Sequence, residues 1–186
     1  MKYMIASDIH GSAFYCRQML QQFEREKADS LILLGDLLYH GARNDLPKEY
    51  APKEVTAMLN EKRKHLFCVK GNCDSEVDQM VMEFPIMADY MLMHEMGRMI
   101  FVTHGHHYHL NAMPQLRQGD ILLHGHTHVP ACLEQNGMIY MNPGSISIPK
   151  ENSERSYMIL ENGVFHWKVL KSGEVYQTYK ICVDNL

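Results

Sequence analysis

Seven of the twelve histidines in this 186-residue chain (His104, His106, His107, His109, His124, His126 and His128) fall between positions 104 and 128, where even scatter would place fewer than two. Neutral imidazole is the commonest metal ligand among side chains, so a metal centre is the first chemistry to consider. Cysteine takes no part in the clustering. Cys16, Cys68, Cys73, Cys132 and Cys182 contain no C-x-x-C pair and are odd in number, which speaks against both a thiolate zinc site and a disulfide framework. Short oxygen ligands do accompany the histidines. Five motifs, Asp8-Ile9-His10-Gly11, Gly35-Asp36, Gly71-Asn72-Cys73-Asp74, Thr103-His104-Gly105-His106 and Gly125-His126-Thr127-His128, each follow an apolar run.

Together they offer seven candidate ligands: Asp8, His10, Asp36, Asn72, His104, His126 and His128. Seven are too many for one tetrahedral ion but suit two octahedral ions if a carboxylate bridges them and waters complete the shells. Mixed oxygen and imidazole ligation favours Mn²⁺, with Fe or Zn²⁺ as alternatives, over Ca²⁺. Two dications about 3.5 to 4 Å apart can hold a bridging hydroxide and a phosphoryl oxygen together. Composition bears on this. The chain has 18 Lys and Arg against 22 Asp and Glu, a net charge of −4, so it has no basic surplus with which to hold a polyanion such as nucleic acid. Two dications would cancel that charge and supply what a phosphate substrate needs.

Ligands so far apart in sequence need a scaffold that gathers strand ends. Tyr3 to Ala6, Leu31 to Leu34 and Leu66 to Val69 read as buried strands. Ser12 caps a helix bearing Cys16, Met19, Leu20 and Phe23 on one face, and Pro52 opens a second with Val55, Met58 and Leu59. From about residue 88 the pattern becomes strands joined by turns at Met96-Gly97, Asn136-Gly137 and Asn162-Gly163, which predicts a mainly antiparallel second half. The expected fold is α/β, with two facing sheets and helices outside, in one domain over residues 1–186. In such sheets ligands gather beyond the carboxyl ends of strands. Seven methionines between Met80 and Met99 read as core substitutes for leucine. No apolar run approaches the roughly 18 residues of a membrane span, and Asp8 and His10 interrupt the apolar start, so a cytoplasmic protein is expected. The loop from Asn44 to Pro52 and the methionine-rich strands could supply a homo-oligomer interface.

The ordered set D-x-H, G-D, G-N-x-D, T-H-G, G-H-x-H resembles the calcineurin-like metallophosphoesterase superfamily, and within it the small bacterial YfcE-type phosphodiesterases. The likeness extends to His40-Gly41-Ala42-Arg43-Asn44, Cys73 to Gln79, and Asn142-Pro143-Gly144-Ser145. It implies a four-layer αββα sandwich of two mixed sheets flanked by helices. By resemblance, Asp8, His10 and His128 bind one metal, Asn72, His104 and His126 the other, and Asp36 bridges both. The implied reaction is hydrolysis of a small phosphodiester by a metal-bridging hydroxide; the alternatives are a phosphomonoesterase, a nucleotide pyrophosphohydrolase or a non-catalytic scaffold of the same fold. Most of the superfamily has histidine where this chain has Cys73, so Cys73 reads as a weak surrogate acid or as a residue that only fills space, with the proton then coming from His106, His107 or His109. Arg43 and Asn44 are candidate substrate contacts. Asn142 to Ser145 reads equally as an active-site wall or a closing turn, and His124 as a core or ligand-supporting histidine.

Overall fold

The computed structural model describes residues 1–182. Strands β1 (Lys2–Ala6), β2 (Ser30–Leu33) and β3 (Leu66–Cys68) run parallel, joined by helix α1 (Ala13–Glu26) and by helix α2 (Pro52–Glu61). β1 and β2 are buried on both faces over their apolar residues, which is why they read as unbroken apolar runs, whereas β3 at the sheet edge leaves Phe67 exposed. Side chains alternate across the sheet. Met4, Ala6, Leu31 and Leu33 face the helices with Cys16, Met19, Phe23, Val55 and Leu59, while Ile5, Ile32 and Leu34 face the second sheet. Ser12 accepts a bond from Tyr15 N at 3.3 Å and so starts α1, and Pro52 opens α2 in its first turn.

After the short helix α3 (Glu76–Gln79), strands β4 (Tyr90–Glu95), β5 (Arg98–Thr103), β6 (Ile121–Leu123), β7 (Ala131–Gln135) and β8 (Met138–Asn142) build the second sheet in the order β4-β5-β6-β8-β7. Strands β9 (Ser156–Glu161), β10 (Val164–Val169) and β11 (Val175–Lys180) return to the first sheet, giving β11-β10-β9-β1-β2-β3. The expected turns are present, with positive φ at both residues of Met96-Gly97, Asn136-Gly137 and Asn162-Gly163.

The second half is mainly antiparallel, as its hairpins predict, but it has a parallel centre and is divided between two sheets. β5, β6 and β8 are mutually parallel, because the short run Ile121–Leu123 is buried on both faces and has no hairpin turn on either side. β9 crosses to pair with β1, and β11, too polar to announce itself, extends the edge. The two mixed sheets enclose a core of Ile5, Ile32, Val102, Leu123, Met158 and Trp167. On the outer face of the second sheet, Phe101, Leu122 and Tyr140 are covered by Tyr108, Leu110, Met113 and Leu116 from an irregular segment instead of a helix. The methionine reading holds for Met82, Met91 and Met93, which pack into the cores, but Met80 at the end of α3 and Met96 in a hairpin turn are exposed.

Candidate metal centre

Each motif leaves the carboxyl end of a parallel strand: Asp8 and His10 after β1, Asp36 after β2, Asn72 after β3, His104 after β5, His126 and His128 after β6. Backbone bonds lash these loops together, with His10 N donating to Asp36 O at 2.9 Å, Gly11 N to Leu37 O at 2.9 Å and Gly125 N to His104 O at 2.9 Å. Asp8, His10, Asp36, His126 and His128 all adopt left-handed backbone, with φ between 50° and 66°. Such conformations cost non-glycine residues energy and persist where surrounding structure enforces them.

Three histidines have their tautomer fixed by the backbone. The Nδ1 of His10 donates to Tyr39 O at 2.7 Å, that of His104 to Leu34 O at 2.6 Å and that of His128 to Ile148 O at 2.6 Å. Each neutral ring therefore presents an Nε2 lone pair to the interior. Those of His10 and His128 face each other at 3.2 Å, and Asp8 Oδ1 lies 3.6 and 3.2 Å from them. This oxygen is buried without a hydrogen-bond donor. Around His104 Nε2 stand Asn72 Oδ1 at 3.1 Å, His126 Nδ1 at 3.2 Å and Asp36 Oδ2 at 3.5 Å. Asp36 Oδ2 is also 3.6 Å from His10 Nε2, between the two groups.

Electron pairs concentrated in this way repel unless a cation lies among them. Ligands bound at about 2.1 Å to one ion at right angles sit about 3 Å apart, so the donor set fits divalent metal. The local charge has the same sign. Burial raises the Asp8 carboxyl, yet its contacts with His10 and His128 hold it well below the usual carboxylate range. Burial lowers His104, but Asp36 and Asp8 outweigh it and push that ring up to about 9, so that a proton and a metal cation compete for its Nε2.

Supporting residues lie behind the ligands, among them His124 and the Asn142–Ser145 stretch that the sequence pointed to and Ser7 and Ser147 that it did not. The buried Asp74 carboxylate accepts N–H bonds from Asp36, Leu37 and Gly71, each at 2.8 Å, and so clamps two motif loops. Ser7 Oγ donates to Asp8 Oδ2 at 2.6 Å, while Ser145 and Ser147 both donate to Asp8 O. Asn142 donates to Gly125 O and Thr127 Oγ1, making the Asn142–Ser145 turn a brace beneath the centre. His124 is buried and donates to Gly125 O, with its ring against Tyr140.

A groove of about 720 Å³ opens beside His10, Asp36, Asn72, His126 and His128 and is lined further by Tyr39, Arg43, Asn44, Cys73 and Lys150. Arg43 and Asn44 thus meet the ligand set, although Asn44 already donates to His40 O at 2.8 Å. Burial, reinforced by Asp36 and Asp74, pushes the Cys73 thiol up to about 12. His106 packs on His104 and His107, with its ring 6.2 Å from that of His126; burial and those neighbours push it down to about 4.

Residues 1–163 match the family model of the calcineurin-like phosphoesterase superfamily domain. The chain belongs to that superfamily. Within it, the chain is 45% identical to Phosphodiesterase YfcE of Escherichia coli K12 over 164 residues, 88% of this chain and 89% of the relative. It is 28% identical to the Probable metallophosphoesterase YsnB of Bacillus subtilis, over 86% of this chain and 83% of that one. The solved structure of Yfce, a phosphoesterase from E. coli, superposes with a TM-score of 0.94 at 42% identity, covering 98% of this chain and 100% of that one. Superfamily membership implies divalent metal ions, for which Asp8, His10 and His128 form one of the compact donor groups. Among the described residues no helix is long and apolar enough to cross a membrane.

Proposed function

We propose that this superfamily member is a phosphodiesterase with two divalent ions, Asp8, His10 and His128 holding one, Asn72, His104 and His126 the other, and Asp36 both. The observation that carries this reading is the Asp36 carboxylate oxygen standing 3.6 Å from His10 Nε2 and 3.5 Å from His104 Nε2, between two groups of inward-facing lone pairs. The name of the E. coli relative supports a diester substrate. Bound cations would supply positive charge to the phosphoryl oxygens and acidity to water. Water adds at phosphorus as one alcohol leaves, so that the products are a phosphomonoester and an alcohol that keeps one of the water protons.

The chain's own part is to orient and to protonate. Arg43 presents a planar fork to non-bridging oxygens. The Cys73 Sγ receives Asn72 Nδ2 at 3.2 Å and stays a neutral thiol, a weak donor to a departing oxygen. His106, with its ring 6.2 Å from that of His126, is the alternative donor. Diesters with acidic leaving groups, which need little protonation, are therefore the favoured substrates. Mn²⁺ is the proposed metal, with Fe and Zn²⁺ as alternatives, and the proposed setting is cytoplasmic. The test is metal content and hydrolysis of bis-p-nitrophenyl phosphate at defined Mn²⁺, with Asp36→Asn as control. Two metals per chain and a variant at least 100-fold slower are expected. A protein that retains no metal and leaves the diester intact would point to a scaffold, and better turnover of p-nitrophenyl phosphate would make it a monoesterase.

A further inference from the structure

Lys150 stands in the groove with its backbone pinned and its head group unpaired. Its N–H donates to His128 O at 3.3 Å, and its carbonyl receives Ser153 N at 3.0 Å and Ser153 Oγ at 2.6 Å. Between them the chain turns through Glu151 and Asn152, both left-handed at φ 53° and 55°. The Lys150 backbone is thereby fixed one hydrogen bond away from a candidate ligand, and its exposed side chain extends from that anchor. Lys2, Lys62 and Lys168 each meet a glutamate, and Lys48 lies on the Phe14 ring. The ammonium of Lys150 and the guanidinium of Arg43 have no such partner among the described residues, and both line the groove.

Two unpaired cations in one groove exceed what a simple diester requires. A diester phosphate carries a single negative charge, which the metals and Arg43 already face. We propose that Lys150 is a specificity residue that binds a second phosphate group, carried on the alcohol portion that stays attached to the scissile phosphorus. This rests on the phosphodiesterase reading above, and it narrows the substrate class to diesters bearing a further phosphate. A pinned lysine meeting a phosphate in a partly open groove makes a charge-assisted hydrogen bond worth about tenfold in binding.

The test holds the leaving group constant. Thymidine 5′-(p-nitrophenyl phosphate) and its 3′-phosphorylated form are compared on the Mn²⁺-loaded protein, together with p-nitrophenyl phosphorylcholine, whose second charge is positive. The expected result is that the 3′-phosphate raises kcat/KM about tenfold, chiefly through KM, and that the choline ester is the poorest substrate. Lys150→Ala brings the ratio of the two thymidine substrates close to one, and Lys150→Arg retains most of it. Calorimetry on the Mn²⁺-loaded protein should show thymidine 3′,5′-bisphosphate binding more tightly than thymidine 5′-phosphate, a preference lost in Lys150→Ala. Equal ratios in wild type and Lys150→Ala overturn the proposal, as does a Lys150→Ala loss confined to p-nitrophenyl phosphate, which would place Lys150 on the scissile phosphate. If wild type hydrolyses neither these diesters nor bis-p-nitrophenyl phosphate, the phosphodiesterase reading fails, and the calorimetric preference alone decides the role of Lys150.

Discussion

Replacing Gly71 with alanine tests whether the centre depends on backbone packed to van der Waals contact. A Cβ at this position would lie 2.1 Å from Asp36 Oδ1, 2.3 Å from Asp36 N and 2.9 Å from Asp36 Cγ, where ordinary contact begins at 3.4 Å. Relief requires a movement of more than 1 Å. Neither partner is the free end of a flexible side chain, since Asp36 Oδ1 accepts from Cys73 N and Asp36 N donates to Asp74, each at 2.8 Å. Overpacking of this kind costs about 1–3 kcal/mol. With about 2–4 °C per kcal/mol for a chain of this size, Tm should fall by roughly 2–12 °C. The Asp36 carboxylate moves with the strain, so Mn²⁺ affinity should drop about 10- to 100-fold and diester hydrolysis about 100-fold. Calorimetric Mn²⁺ titration, thermal melts and bis-p-nitrophenyl phosphate turnover read the three effects. Gly97→Ala is the control, because a Cβ there meets nothing within 4 Å and only the left-handed φ of 77° is penalised. Gly71→Ala with wild-type Tm and Mn²⁺ affinity would refute the reasoning.

Saturation with Mn²⁺ at about 100 times its dissociation constant should add about 2.7 kcal/mol of stability, visible as a Tm higher by roughly 5–11 °C that EDTA reverses; an unchanged melt would contradict a folded-state metal site. Cys73→His should raise turnover of alkyl diesters about 10- to 100-fold while changing p-nitrophenyl esters less, and kcat/KM measured across leaving groups of graded pKa would detect no such crossover if protonation were immaterial. Burial raises the Glu26 carboxyl, but hydrogen bonds from Lys168 and Tyr157 hold it below its ordinary value. Its contribution to stability is therefore present above the unfolded pKa of about 4.3 and lost as pH falls through the lower folded value. Glu26→Gln should lower the urea midpoint at pH 7, with the gap to wild type closing below about pH 4, whereas a gap independent of pH would show that the charge is immaterial.

The ligand positions were legible because each stands within three residues of a glycine at a strand end, a local pattern that survives without knowledge of what lies opposite. Lys150 and Ser147 were not, since nothing in their own neighbourhoods distinguishes them, and Asp74, though part of a motif, did not show its role as a clamp; they acquire meaning from partners such as His128, Asp8 and Asp36 that lie up to 139 residues away. Lys150 also alters an inference about charge. Of the candidate substrate contacts read from sequence, Arg43 and Asn44, only Arg43 is a cation, whereas the groove contains two. Hairpin turns at Asn136 and Asn162 were readable from two residues each, but the sheet each hairpin joins depends on pairing across the whole chain. The cover over Phe101, Leu122 and Tyr140 has no helical periodicity to read, being an irregular run that packs through Tyr108, Leu110 and Met113.

The central place of β1 has a consequence for biosynthesis. Its register runs from Lys2 opposite Glu161 to Ile5 opposite Met158, and the Asp8 carbonyl is held by Ser145 and Ser147. At about 5–20 residues per second, some 8–30 s of translation separate the emergence of the first strand from that of its partner. Through that interval one edge of β1 is an unpaired template open to other chains or to chaperones. Helices α1 and α2 can form early, but the loop carrying Asp8 and His10 gains its brace only when the last third of the polypeptide leaves the ribosome. Metal loading accordingly belongs after synthesis, on a chain that has already closed its first sheet.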